Sequence, residues 1–178
     1  IKRYVRTNTK RVVFDYAIKN NFFDEKDYLN LKQQLTSIEY DPPPSLKRGA
    51  WKGPYWHERT VEKESEVGNL IKKKVKEHFN FIIKQYANIN FTMVGAKDFV
   101  RPHIDLEDGV THQCIIYIAG NSCMDSGTGF FFEDNSLDTA IGFRENKAIF
   151  FNSKSLHSPL HALKQSGEWR YSIATFFS

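Results

Sequence analysis

The fold class this sequence predicts is an all-β core of two packed sheets, a jelly roll flanked by helices, and three observations predict it. From Asn88 onward the chain breaks into eight short strand-like segments, at about 89–95, 99–104, 111–119, 128–133, 139–143, 147–152, 156–160 and 169–177, with turn residues between them. That number and spacing suit a double-sheet antiparallel architecture. Before Asn88 the apolar period is helical instead, so helices precede the sheets and must cover one of them. No repeat, linker or low-complexity tract interrupts the chain. Residues 1–178 therefore read as one domain, a cupin-like double-stranded β-helix over 88–178, with 1–87 supplying helical support and a lid region.

Taken in order, residues 11–16 form a short apolar run of strand type. Asp24 offers an N-cap, and Tyr28, Leu31, Leu35 and Ile38 follow at helical spacing, until Pro42-Pro43-Pro44 forbids helix. Residues 45–60 read as a loop, rich in Trp51, Tyr55, Trp56 and His57. A longer helix is predicted next, because Val67, Leu70, Ile71, Val75, Phe79, Ile82, Ile83 and Tyr86 make one apolar stripe. Lys72, Lys73, Lys74 and Lys76 read as its solvated side. In the last segment, alternation puts Arg170, Ser172, Ala174 and Phe176 on one face and Tyr171, Ile173, Thr175 and Phe177 on the other.

Composition narrows the classes. Of 178 residues, 40% are hydrophobic and 26% charged, which is globular rather than disordered. No apolar run approaches the ~18 residues that a membrane span requires, so no membrane partner is expected. The net charge of +4 is mild, and an acidic partner such as nucleic acid is the lesser reading beside a solvated helix face. Cys114 and Cys123 do not form a disulfide framework; a reducing, cytoplasmic setting is expected.

The chemistry gathers around Arg101-Pro102-His103-Ile104-Asp105. His103 and Asp105 stand two apart, so in extended backbone both side chains point to one face. Two histidines and one carboxylate with open positions are the ligand set of non-haem Fe(II) oxygenases. The missing histidine is His157, at the end of the buried segment 147–152 and entering the next one, with His161 as the rival. A buried Arg170 beside small Ser172 and Ala174 demands an anion, for which a carboxylate is the natural partner.

Together these residues resemble the Fe(II)- and 2-oxoglutarate-dependent oxygenase superfamily, in its prolyl-hydroxylase-like branch. The resemblance rests on His103-Ile104-Asp105, a distal His and Arg170-Tyr171-Ser172. It extends to Cys114-Ile115-Ile116-Tyr117-Ile118 as a second-strand motif and to Ser126-Gly127-Thr128-Gly129 as a glycine turn. The resemblance implies that His103, Asp105 and His157 hold Fe(II), and that Arg170 binds the distal carboxylate of 2-oxoglutarate with Ser172 and Tyr117. It implies O2 as oxidant, with ascorbate as a supporting reductant. The reaction it implies is hydroxylation of a C–H bond in a peptidyl residue or an amino-acid-like small molecule, with release of succinate and CO2. Asp105 favours hydroxylation, since related halogenases carry a small residue there. Two departures stand out: thirteen residues separate His157 from Arg170, where about ten are usual, and Ala119-Gly120 replaces a common Asn. Alkylation-repair demethylases carry a second arginine where this chain has Phe176, which argues against a nucleic-acid substrate. A non-catalytic cupin-like binding module is the remaining alternative. Residues 51–59 are the expected lid, and Arg101 and Arg144 are candidates to meet an anionic group.

Overall fold

The structure is a computed structural model, and it describes residues 15–40, 57–95, 101–105, 108–120, 122–160 and 169–178. Among the described residues two antiparallel sheets form from nine strands. The larger has six, built from β1 (Tyr16–Asn20), β7 (Lys147–Asn152), β4 (His112–Ala119), β9 (Trp169–Phe177), β3 (Tyr86–Gly95) and β2 (His57–Thr60), in that order across the sheet. The smaller has three, in the order β6 (Leu137–Phe143), β5 (Cys123–Phe131) and β8 (His157–Pro159). This is the double-stranded β-helix that the strand count predicted.

Alternation along the central strands divides the apolar side chains between two cores. Cys114, Ile116 and Ile118 of β4 join Ala148, Ile173 and Phe177 on the outer face, where α1 (Glu25–Ser37) and α2 (Glu66–Phe79) cover them with Leu31, Leu35, Ile71 and Val75. Tyr117, Ile149 and Phe151 point the other way, toward Phe130, Ile141 and Phe143 of the smaller sheet. The helices thus seal one face of the larger sheet and leave its concave face to the second sheet and to a pocket.

Local chemistry sets the helix ends. Asp24 caps α1 by accepting from Asp27 N at 3.1 Å, and Ser65 caps α2 by accepting from Gly68 N at 3.2 Å. The longer stripe stops earlier than its sequence implies. Asn80 takes a left-handed conformation (φ 53°) and its N–H closes on Lys76 O at 3.1 Å, a C-terminal stop that the apolar period does not register. Ile82 is then 65% exposed, and Tyr86 begins a strand. Lys74 departs from the solvated set: it is buried, with Nζ 3.7 Å from Asp24 and 3.3 Å from Glu77, tying α2 to the start of α1.

Other expectations shift at the edges. The first strand is Tyr16–Asn20 rather than 11–16, of which residues 11–14 lie outside the described set. Residues 57–60, expected in a loop, form β2 and pair with β3; nothing in four polar residues signals an edge strand that long-range pairing creates. Residues 51–56 of the expected lid lie outside the described set. Of the segment 99–104, residues 101–104 are described, and they make one bridge, between His103 and His157, rather than a strand.

Asn146 clips the chain before α1 to the tight turn between β6 and β7. Its side chain accepts from Phe23 N and donates to Phe23 O, both at 2.9 Å, and its own backbone is left-handed (φ 58°). Replacing it with alanine removes both bonds and places a Cβ residue without local polar support in that conformation. Asn146→Ala is expected to destabilise the fold by about 2–4 kcal/mol in denaturant melts; a loss below about 1 kcal/mol, the scale of one such bond, would show that the clip is dispensable.

Candidate active site

The inner face of the larger sheet opens into a small pocket of about 100 Å³. His103, Asp105 and His157 meet at it, with one potential ligand atom from each lying within 4.8 Å of the others. Asp105 Oδ1 is 3.6 Å from His103 Nε2, and Oδ2 is 3.3 Å from His157 Nε2. The means of convergence is local. His103 and His157 exchange both backbone hydrogen bonds, each at 3.0 Å, which places the two rings side by side at 4.8 Å between centroids.

Both rings are set for metal binding. His103 Nδ1 donates to the Arg101 carbonyl at 2.8 Å and His157 Nδ1 donates to the Ser155 carbonyl at 2.9 Å. With the proton held at Nδ1, each Nε2 presents a lone pair to the shared space. Burial pushes the His157 imidazole down to about 4, with His103 acting in the same direction, so the ring is neutral, as a ligand must be. His161 lies outside the described residues; His157 is the histidine that joins the cluster.

Asp105 has a partner that the sequence reading missed. Gln113, buried on β4, donates from Nε2 to Asp105 Oδ2 at 2.8 Å. The same alternation that directs Tyr117 inward also directs Gln113 and Ile115 inward, which is the signal that could have found it. An outer hydrogen bond of this kind orients the ligand. Gln113→Leu is expected to weaken Mn(II) or Co(II) binding by about 10–100-fold, measured by direct titration; unchanged affinity would remove Gln113 from the site.

Arg170 lies deeper. It is buried, as are Ser172 and Tyr117, and with Ala174 and Phe176 they line the same pocket. Its Nη1 donates to the Ser126 carbonyl, to the Gly127 carbonyl at 2.8 Å and, more distantly, to the Leu160 carbonyl at 3.5 Å. A Cβ at Gly127 would collide with the Ile141 carbonyl, so glycine is what lets β5 bring these carbonyls up to the guanidinium. They orient the cation without neutralising it. Among the described residues no carboxylate pairs with Arg170, and its Nε has no hydrogen-bond partner. Burial lowers its pKa, yet guanidinium stays protonated.

Around it, Thr92 Oγ1 and Ser172 Oγ are 2.8 Å apart, and Tyr117 Oη is 2.7 Å from Thr128 Oγ1. Burial pushes the Tyr117 phenol up to about 12, against the opposing pull of Arg170, so it is a neutral hydrogen-bonding group. Arg144 belongs to a different surface depression, beside Glu145 and Asn146, and Arg101 is exposed. Neither contributes a side chain to the pocket lining.

The donor set fits a divalent cation of the Fe(II) type, since two neutral imidazoles and a carboxylate converge on one side. The orphaned guanidinium fits a ligand carboxylate. No family model matches the sequence, and no curated protein matches it. Solved structures do match. A prolyl-4-hydroxylase from Pseudomonas putida superposes with a TM-score of 0.64 at 14% identity, covering 91% of each chain. A prolyl hydroxylase from Trichoplax adhaerens, in complex with a peptide fragment of the hypoxia inducible factor oxygen degradation domain, gives 0.66 at 16% identity over 91% of this chain and 82% of its own. The viral collagen prolyl hydroxylase of Paramecium Bursaria Chlorella virus-1, in its 2OG complex, gives 0.62 at 16% identity over 90% and 94%. The chain has the fold of the prolyl-hydroxylase-like 2-oxoglutarate oxygenases.

Proposed function

We propose that this chain, as one oxygenase domain, is an Fe(II)- and 2-oxoglutarate-dependent dioxygenase that hydroxylates a C–H bond of a peptidyl residue or an amino-acid-like small molecule. One observation carries the reading: three convergent potential ligand atoms and a buried guanidinium with no carboxylate partner among the described residues share a single pocket. Neither half has a structural explanation alone. A buried cation held only by carbonyls is unfavourable until an anion arrives, and a metal site left with open positions suits a catalyst rather than a strut.

His103, Asp105 and His157 would hold the metal, with Gln113 fixing the carboxylate. Arg170 would take the distal carboxylate of 2-oxoglutarate, and Ser172 and Tyr117 would line its path. When bound, the metal and cosubstrate supply the oxidising chemistry, consuming O2 and releasing succinate and CO2. The protein's part is to hold, orient and shield: apolar Val94, Ile115 and Phe176 line the pocket between its polar groups and limit water. The peptide seated on the Trichoplax relative supports a peptidyl substrate.

Incubation with Fe(II), 2-oxoglutarate and ascorbate under air is expected to give slow succinate formation. A mass-spectrometric screen of peptides and amino-acid-like metabolites is then expected to find a product heavier by one oxygen. No succinate across a full range of iron concentrations would refute the proposal and leave a non-catalytic binding module of the same fold.

A further inference from the structure

The larger sheet ends on one side at β1, and among the described residues no strand pairs with the outer edge of β1. An edge strand offers a row of unpaired backbone N–H and C=O groups that a further strand can use. Proteins commonly blunt such edges with proline, a bulge or a charge. β1 reads Tyr-Ala-Ile-Lys-Asn, without proline, and pairs with β7 in unbroken register. It also carries two large apolar side chains in the open, Tyr16 at 39% exposure and Ile18 at 44%.

Register assigns the faces of the strand. Tyr16 lies opposite Phe151 and Ile18 opposite Ile149, which point toward the smaller sheet, and the Tyr16 ring stacks on Phe130 at 5.4 Å between centroids. Ala17 and Lys19 lie opposite Phe150 and Ala148, on the face toward the helices. Asp15, the residue before the strand, continues that alternation and is exposed. Asp15 and Lys19 enter no ion pair among the described residues. Lys19 alone would guard the edge against another copy, but Asp15 stands four residues before it.

The segment is its own complement. In an antiparallel pairing of two copies about a two-fold axis through Ala17, Asp15 faces Lys19, Tyr16 faces Ile18 and Ala17 faces itself. Each charge pair and each apolar pair then occurs twice, the charges on one face and the apolar groups on the other. A slip of two residues either way, the smallest that keeps the faces, parts both charge pairs. We propose that β1 is the interface between two copies of this chain, which join edge to edge in this register so that their larger sheets become continuous. Such self-complementarity is what a two-fold dimer requires. β1 supplies no residue to the pocket lining, so the pairing leaves both pockets open and does not depend on what they bind. A strand of five residues makes a short contact, and the association is therefore weak, with a Kd on the order of 10–100 µM.

The test is sedimentation equilibrium of the full chain over about 5–500 µM, where a reversible monomer–dimer equilibrium is expected. Asp15→Lys sets lysine against Lys19 of the second copy at both ends of the contact, and Lys19→Asp sets aspartate against Asp15. Each is expected to weaken the dimer by roughly tenfold or more. Mixed in equal amounts, the two variants restore every charge pair in a mixed dimer, and association returns to near the wild-type level. Ile18→Thr suits a strand and leaves the charges in place; it is expected to weaken the dimer severalfold, and it keeps the test decisive if a charge variant does not fold. Circular dichroism melts establish which variants are folded. A wild type that stays monomeric throughout, a dimer indifferent to Asp15→Lys or to Ile18→Thr, or a mixture of folded charge variants that does not recover association overturns the pairing.

Discussion

Arg170→Met is expected to raise the KM for 2-oxoglutarate by roughly 10²–10³-fold, about 3–4 kcal/mol, as breaking a buried charge pair would, and to leave Mn(II) affinity almost unchanged. The asymmetry follows from position, since Arg170 is held by the Ser126 and Gly127 carbonyls of β5 and stands opposite Val94 near the end of β3. Arg170→Lys is expected to recover only part of the loss, because an ammonium restores the charge but lacks the planar fork. Stability moves the other way. Without an anion, wild-type Arg170 keeps a cation buried against carbonyls, so the ligand-free methionine variant should melt no lower than the wild type. Titration of succinate formation against 2-oxoglutarate gives the first quantity, and thermal melts without cosubstrate give the second. An unchanged KM would detach Arg170 from the cosubstrate and, with it, the main argument for the cosubstrate's identity.

His157→Ala removes one of the three proposed ligands, and the loss of metal affinity should exceed the ~10–100-fold typical of outer-sphere changes, reaching on the order of 10³-fold or more, with turnover abolished. Co(II) absorption and Mn(II) titration both read this directly. The ring is buried and packs on Phe151 at 4.9 Å between centroids, so alanine also opens a cavity. His157→Gln fills more of that space while lacking the imidazole, and it separates ligand loss from misfolding. His161→Ala is the companion variant. If it loses metal while His157→Ala keeps it, the thirteen-residue spacing to Arg170 was a warning and the distal ligand has been misassigned.

Much of this site was legible because its signals are short-range. Two residues on one extended strand must share a face, so His103 with Asp105, and Arg170 with Ser172, Ala174 and Phe176, could be grouped from alternation alone. The strands 147–152 and 169–177 were legible for the same reason: their apolar side chains serve two different cores on alternate sides. What could not be read depended on pairing between distant segments. Glu58 reaches the pocket only because β2 docks on β3, and Asn90 faces inward only because β3 pairs with β9. Gln113 was within reach, since it shares a face with Tyr117, but an amide on a strand carries no chemical label until its partner is known. The end of α2 failed differently. The apolar period continues through Ile82 and Ile83, and a single asparagine willing to take positive φ overrides it.

The bridge between His103 and His157 has a consequence for how the barrel closes. Segment 101–105 meets the smaller sheet through that one pair of residues, a fourth strand reduced to a single rung. A cation held between their imidazoles would lace the rung shut from the side-chain direction, while the amides lace it from the backbone. Loading the proposed ion and finishing the sheet would then be one event, and the barrel would be most securely stitched only with the ion in place.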